Sequence, residues 1–203
     1  MEPPDEELFN SKKHVLYWKR CLKTFLPEQY TSMDSNRMML GFFILSALDL
    51  LDALKDNIGA DERYGYIDWI YACQNFDGGF LGSPVIRECI DPDKPSAASE
   101  PAHVAHTYFA LAALAILGDD FGRFNKSKCL DWLTRVQKSD GSFGEQLSET
   151  GEPAGAMSMR FNYCASAIRL MVRGKGEATK DVNIDFNVPK LLKRVHSSVV
   201  CSS

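Results

Sequence analysis

No stretch of this chain is apolar for the length of a membrane span. The opening Met1-Glu2-Pro3-Pro4-Asp5-Glu6-Glu7 is acidic where a secretory leader is basic and then apolar, so it is not expected to act as one. The six cysteines stand singly, at positions 21, 73, 89, 129, 164 and 201, and none forms a Cys-x-x-Cys. That spacing argues against a disulfide framework or a zinc ribbon, and a reduced, cytoplasmic chain is expected. Cys21, Cys73 and Cys129 are expected as small buried hydrophobes. A net charge of −4 gives electrostatics no reason to propose a nucleic-acid partner. Histidine is scarce, with four in 203 residues. His103 and His106 are three apart, but no third ligand stands near them, so the pair alone does not make a metal site. Strict apolar-polar alternation is also missing, so no strands are expected.

What the chain does have is a repeated phrase. Trp69-Ile70-Tyr71-Ala72-Cys73-Gln74 is followed by Asp77-Gly78-Gly79-Phe80. Trp132-Leu133-Thr134-Arg135-Val136-Gln137 is followed by Asp140-Gly141-Ser142-Phe143. Trp, Gln, Asp, the first Gly and Phe all recur at one offset, 63 positions. Tyr66, Trp69, Ile70 and Cys73 follow the i, i+3, i+4, i+7 spacing of an apolar helix stripe. Asp-Gly then supplies turn chemistry, because glycine reaches positive φ without steric cost and Asp bonds its own backbone. Phe80 and Phe143 are expected to return to the core as anchors. One copy would be an ordinary helix end and turn, but five identities in register make a repeated unit.

Each copy is followed by a polar loop and then by an apolar helix. These helices are expected over Ala102 to Leu117, closed by Gly118, and over Ser158 to Val172, closed by Gly174. Tyr108 and Tyr163 occupy similar places in them. An earlier helix of this kind is expected over Ser35 to Leu54, with Asp34 or Ser35 as N-cap. The chain therefore reads as all-α, a string of αα-hairpins in which Trp-bearing helices alternate with tightly packed apolar ones.

The Gln-x-x-Asp-Gly-Gly-Phe repeat resembles the signature of protein prenyltransferase β subunits, whose hairpins curl into an α/α toroid. Three further stretches are similar to the type I geranylgeranyltransferase branch. They are Leu26-Pro27-Glu28-Gln29-Tyr30 running on through Arg37 to Gly41-Phe42-Phe43-Ile44-Leu45-Ser46-Ala47-Leu48-Asp49, then Leu117-Gly118-Asp119-Asp120, then Met159-Arg160-Phe161-Asn162-Tyr163-Cys164-Ala165-Ser166. The likeness covers residues 12 to 198. It leaves an acidic N-terminus over 1–11, expected to be disordered, and a tail over 199–203 expected to be out of pattern.

The resemblance implies a heterodimer with an α subunit. It also implies transfer of a geranylgeranyl group from geranylgeranyl diphosphate to the cysteine of C-terminal Cys-a-a-Leu (CaaX) motifs of Rho-like small GTPases. Zinc is implied as cofactor, because a bound cation stabilises the thiolate nucleophile at neutral pH. In that family the metal is held by Asp, Cys and His of later repeats, the first two spaced as Asp-x-Cys. The residues two before the cysteines here are Lys19, Tyr71, Arg87, Ser127, Asn162 and Val199, so that pair is absent. The cationic cluster that meets the diphosphate is also expected in later repeats. No catalytic residue and no metal ligand is therefore assigned.

The substrate-binding residues carried over by the resemblance are Met39, Phe43, Tyr108, Arg160 and Tyr163, with His103 and Cys164 as further candidates. Met39 and Phe43 are four apart and share a helix face. Met39 stands at a steric gate for isoprenoid length where type I members carry Thr. On sequence alone, both could equally be core residues. Arg160 suits a carboxylate or an ordered water, and it could instead pair with a structural carboxylate.

A third copy of the repeat is expected to begin at Phe186-Asn187-Val188-Pro189-Lys190-Leu191-Leu192. By the same period its Trp position is Val195, and no Asp-Gly follows. The chain is thus expected to be the N-terminal half of a toroid, exposing apolar faces that neighbouring repeats would cover. Cys201 is third from the end, not fourth as a prenylation box requires. The competing readings are a farnesyl- or Rab-type β subunit, a terpene cyclase and a non-catalytic helical-repeat fragment. A cyclase would want Asp-x-Asp-Asp, whereas Asp119-Asp120 is preceded by Leu117.

Overall fold

The computed structural model describes residues 9–24, 26–84, 101–156, 158–174 and 184–200. Residues 1–8, 25, 85–100 with Cys89, 157, 175–183 and 201–203 lie outside the described residues.

Helix α1, Ser11–Lys23, opens on Asn10, whose Oδ1 accepts from Lys13 N at 3.1 Å. A 3₁₀ helix over Glu28–Asn36 leads into α2, Arg37–Leu50. The short α3 is Leu54–Asn57 and α4 is Ala60–Ala72. Helix α5 is Val104–Ile116, α6 is Lys126–Val136, α7 is Met159–Arg173 and α8 is Val188–Val200. α2 packs on α5 and α5 on α7, so the three apolar helices form one row with α5 at its centre. α1 backs α2, α4 backs α5 and α6 backs α7. This is the expected alternation of hairpins.

The recurring phrase folds the same way twice. Each Trp-bearing helix ends in a tight turn closed by a Gln-to-Phe bridge, Gln74 to Phe80 and Gln137 to Phe143. Asn75 N donates to Gly79 O at 2.8 Å, and Lys138 N donates to Ser142 O at 2.7 Å. Gly78 and Gly141 take φ of 119° and 91°. A Cβ on either would stand 2.3 Å from a backbone carbonyl oxygen, Lys128 O or Lys190 O. The glycine is therefore required twice over, for conformation and for close approach of the next polar helix. Phe80 and Phe143 are fully buried anchors, as expected.

The anchors are held from behind by the apolar helices. Phe80 N donates to Thr107 Oγ1 at 2.9 Å, and Phe143 N donates to Asn162 Oδ1 at 3.0 Å. Each anchor also meets a Phe that introduces the next hairpin, Phe124 at 5.6 Å and Phe186 at 4.9 Å between ring centroids. Asn125 and Asn187 follow those rings and cap the next helix, their Oδ1 atoms accepting from Lys128 N and Lys190 N. The third copy thus begins at Phe186.

Several expectations need correction. Lys128 and Lys190 are 62 apart, so the third copy runs one residue short of the period. Arg194, not Val195, stands at the Trp132 position, with Arg194 Nε 3.4 Å from Asp140 Oδ2. α2 starts at Arg37 with no side-chain cap, and Asp34 pairs instead with Arg37. It ends at Leu50 because Asp52 enters the left-handed region with φ of 51°. A two-residue antiparallel pair, β1 Gln146–Leu147 with β2 Pro153–Ala154, lies in a loop where no strand was expected. Asp140 bonds its own turn through Ser142, but in the first copy Asn75 Oδ1 takes that part by accepting from Asp77 N. Cys73 and Cys129 are buried, whereas Cys21 is half-buried.

Candidate functional site

The site is built on the free side of the α2–α5–α7 row. Thr107 and Asn162 turn back to hold the anchors. The residue after each is rotated about 100° round its helix, and these are Tyr108 and Tyr163. Their hydroxyls lie 3.3 Å apart and their rings meet edge to face at 5.5 Å. Burial, then the bond to Tyr163, pushes the Tyr108 phenol up to about 12.

From Tyr108 the aromatic surface continues onto α2. Phe109 lies 5.4 Å from Tyr108 and 5.7 Å from Phe43, and Phe42 lies 5.1 Å from Phe109. Phe43 and Tyr163, at the two ends, are 49% and 62% exposed. Met39, one turn before Phe43, is half-buried. Neither Met39 nor Phe43 is a closed core residue. The result is a strip of aromatic side chains across three helices with its ends open to solvent.

One end of the strip is polar. Ser158 caps α7, its Oγ accepting from Arg160 N at 3.2 Å. His103 caps α5 in the same way, Nδ1 accepting from Ala105 N at 3.1 Å. Phe161 joins the two caps: the Arg160 guanidinium lies 4.9 Å over its ring, and the His103 ring meets its edge at 5.8 Å. Arg160 is exposed, and among the described residues no carboxylate pairs with it. Burial lowers the His103 imidazole and Arg160 adds to that, while Glu145 opposes them. His106 is also held low, at about 4, first by burial and then by His103, and its Nε2 meets Asn36 Oδ1 at 3.2 Å. Cys164 is buried under this end, and burial pushes its thiol up to about 11 against the pull of Arg160. That environment favours the neutral thiol.

These residues do not fit a zinc site. Among the described residues no three His, Cys, Asp or Glu side chains converge as metal ligands. His103 Nδ1 and His106 Nε2 are engaged with Ala105 and Asn36. A cleft of about 170 Å³ between Asp49, Asp52, Lys55, Arg63 and Leu117 lies at the opposite, C-terminal ends of α2 and α5, remote from the polar caps. Among the described residues no helix is long and apolar enough to cross a membrane.

The structure brings Phe43, Tyr108, Tyr163, Arg160 and His103 onto one face and sets Cys164 beneath it. Sequence reasoning missed Phe42 and Phe109 as parts of the strip. It also missed the Thr107-Tyr108 and Asn162-Tyr163 pairs, a polar residue before a Tyr on each apolar helix, which were the available signal.

Residues 9–201 match the family described as the prenyltransferase alpha-alpha toroid domain. The chain is 31% identical to a geranylgeranyl transferase type-1 subunit beta of Dictyostelium discoideum, over 87% of this chain and 53% of that protein. It is 31% identical to the subunit of the same name from Arabidopsis thaliana, over 81% and 44%. The chain spans about half the length of the curated relatives it matches. Its fold is similar to that of a Candida albicans protein geranylgeranyltransferase-I solved in complex with GGPP. The TM-score is 0.75 at 21% identity, over 93% of this chain and 51% of that one.

Proposed function

The chain belongs to the prenyltransferase alpha-alpha toroid family, and from that membership we propose that it forms part of the β subunit of a type I protein geranylgeranyltransferase. The observation that carries this reading is the aromatic strip from Phe43 to Tyr163 with Arg160 and His103 at one end. An extended surface of aromatic rings suits a long, unsaturated, branched hydrocarbon chain, and polar groups at one end suit its polar partners.

In this reading Phe43, Tyr108 and Tyr163 line the isoprenoid, and Met39 bounds its depth. Arg160 and His103 orient a peptide carboxylate or its water, Arg160 through its fixed charge and His103 through a neutral ring. Cys164 supports the face from below. The residues bind, orient and exclude water, and none is assigned to bond making. The complete enzyme would work in the cytoplasm with an α subunit, on proteins ending in a Cys-a-a-Leu motif. Its zinc would be held by residues other than those described.

The test is calorimetric titration of the chain with geranylgeranyl diphosphate and with farnesyl diphosphate. Saturable binding that favours the longer chain supports the proposal. Tighter binding of the shorter chain would point to a farnesyl-type subunit, and binding of neither would leave a helical-repeat fragment.

A further inference from the structure

Phe109 is a shared neighbour of Phe42, Phe43 and Tyr108, and Phe42 likewise touches Phe43, Tyr108 and Phe109. The Phe109 ring lies 5.1 Å from Phe42, 5.7 Å from Phe43 and 5.4 Å from Tyr108. It is half-buried in the seam between α2 and α5, the most extensively packed pair of helices. Phe43 is different, with half of its surface open. Two rings stand against the exposed Phe43, Phe42 at 5.5 Å and Phe109. While those rings fill the space, a rotamer that folds Phe43 back toward α5 would clash with them.

We propose that Phe109 is a positioning residue for chain length: it holds Phe43 outward beside Met39, and the two together set how deep an isoprenoid the strip accepts. The inference rests on the isoprenoid reading above. A smaller side chain at 109 would open space behind Phe43, its ring would fold toward α5, and the wall would recede. The far end of the longer of two isoprenoids would then meet less crowding. An apolar pocket discriminates by occupied volume, so the effect should fall on relative affinity between two chain lengths rather than on affinity as such.

The experiment compares affinities for geranylgeranyl and farnesyl diphosphates in the wild-type chain, Phe109→Leu, Phe109→Tyr, Phe43→Ala and the Phe43→Ala/Phe109→Leu double variant, with thermal melts of each. Phe109→Leu should move the ratio toward the longer chain by about tenfold, the lower end of what a methylene-sized change supplies. Phe109→Tyr, which keeps the ring, should leave it unchanged. In the Phe43→Ala background the Phe109 change should have almost no effect, because the two act as one unit. A folded Phe109→Leu with an unchanged ratio, or an equal shift in both backgrounds, would overturn the role of Phe109 alone. Failure of the wild-type chain to bind either diphosphate would overturn the isoprenoid reading, and this inference with it.

Discussion

The hydroxyls of Tyr108 and Tyr163 meet at 3.3 Å across the seam between α5 and α7. Tyr163 lies at the exposed end of the strip and Tyr108 deeper within it. Removing the outer hydroxyl with Tyr163→Phe deletes the hydrogen bond and the charge interaction of Tyr163 that help to raise Tyr108. The Tyr108 phenol should then titrate below about 12 but still above its ordinary 10.0, because burial remains the larger cause. Ultraviolet titration of the variant checks this, and stability should fall by no more than about 1 kcal/mol.

The turn glycines should be intolerant of any side chain. Gly141→Ala must place a Cβ at φ of 91° and 2.3 Å from Lys190 O. The expected cost is at least about 2 kcal/mol from backbone strain and displacement of α8. Gly78→Ala should behave alike against Lys128. Gly151, at φ of 80° with open space around it, is the control and should cost less. Thermal denaturation distinguishes the three.

Thr107→Val keeps the shape of the side chain but strips the acceptor from Phe80 N, and Asn162→Leu does the same to Phe143 N. Each leaves a buried N–H unpaired, at about 1–3 kcal/mol. In a domain of this size that is a fall in Tm of several degrees. The two losses should add, since the anchors belong to different hairpins. Equal Tm values for wild type and variants would mean that these bonds do not hold the turns.

His106 should make the fold acid-sensitive. Its folded pKa, about 4, lies below the ordinary 6.5, so the unfolded chain binds a proton more readily. The stabilising contribution is fully present above pH 6.5 and is lost as pH falls through 4. It amounts to about 3 kcal/mol at most. His103, shifted in the same direction, faces it at 4.6 Å, and Asn36 receives its Nε2–H. Tm against pH should fall less steeply between 6.5 and 4 in His106→Gln than in wild type.

The hairpin order, the buried anchors and the positive-φ glycines were legible because the phrase repeats and each residue type has one physical use in a turn. The similar places of Tyr108 and Tyr163 in their helices were legible for the same reason, but their meeting across the seam was not. The start of α2 was not, because Asp34 has two partners to choose from, its own backbone and Arg37, and the ion pair with Arg37 won. The third copy was misplaced by one residue because Asn187 and Gly141, rather than the period, set its register. Gln137 clamps that segment, its Nε2 donating to Asn187 O at 3.0 Å and its Oε1 accepting from Asn187 N at 2.7 Å. Phe42 and Phe109 were invisible as site residues because an apolar helix surrounds them with equally apolar neighbours. Only tertiary packing separates a ring in the seam from a ring in the core.

The measurement that tests the account most directly is photolabelling of the chain with a geranylgeranyl diphosphate analogue carrying a benzophenone at its far end, followed by peptide mapping. The account predicts labelled peptides from α2 and α5, around Met39, Phe43 and Phe109, suppressed by unlabelled geranylgeranyl diphosphate. Label concentrated on α1, α4 or α6, or at the cleft beside Asp49 and Arg63, would contradict it.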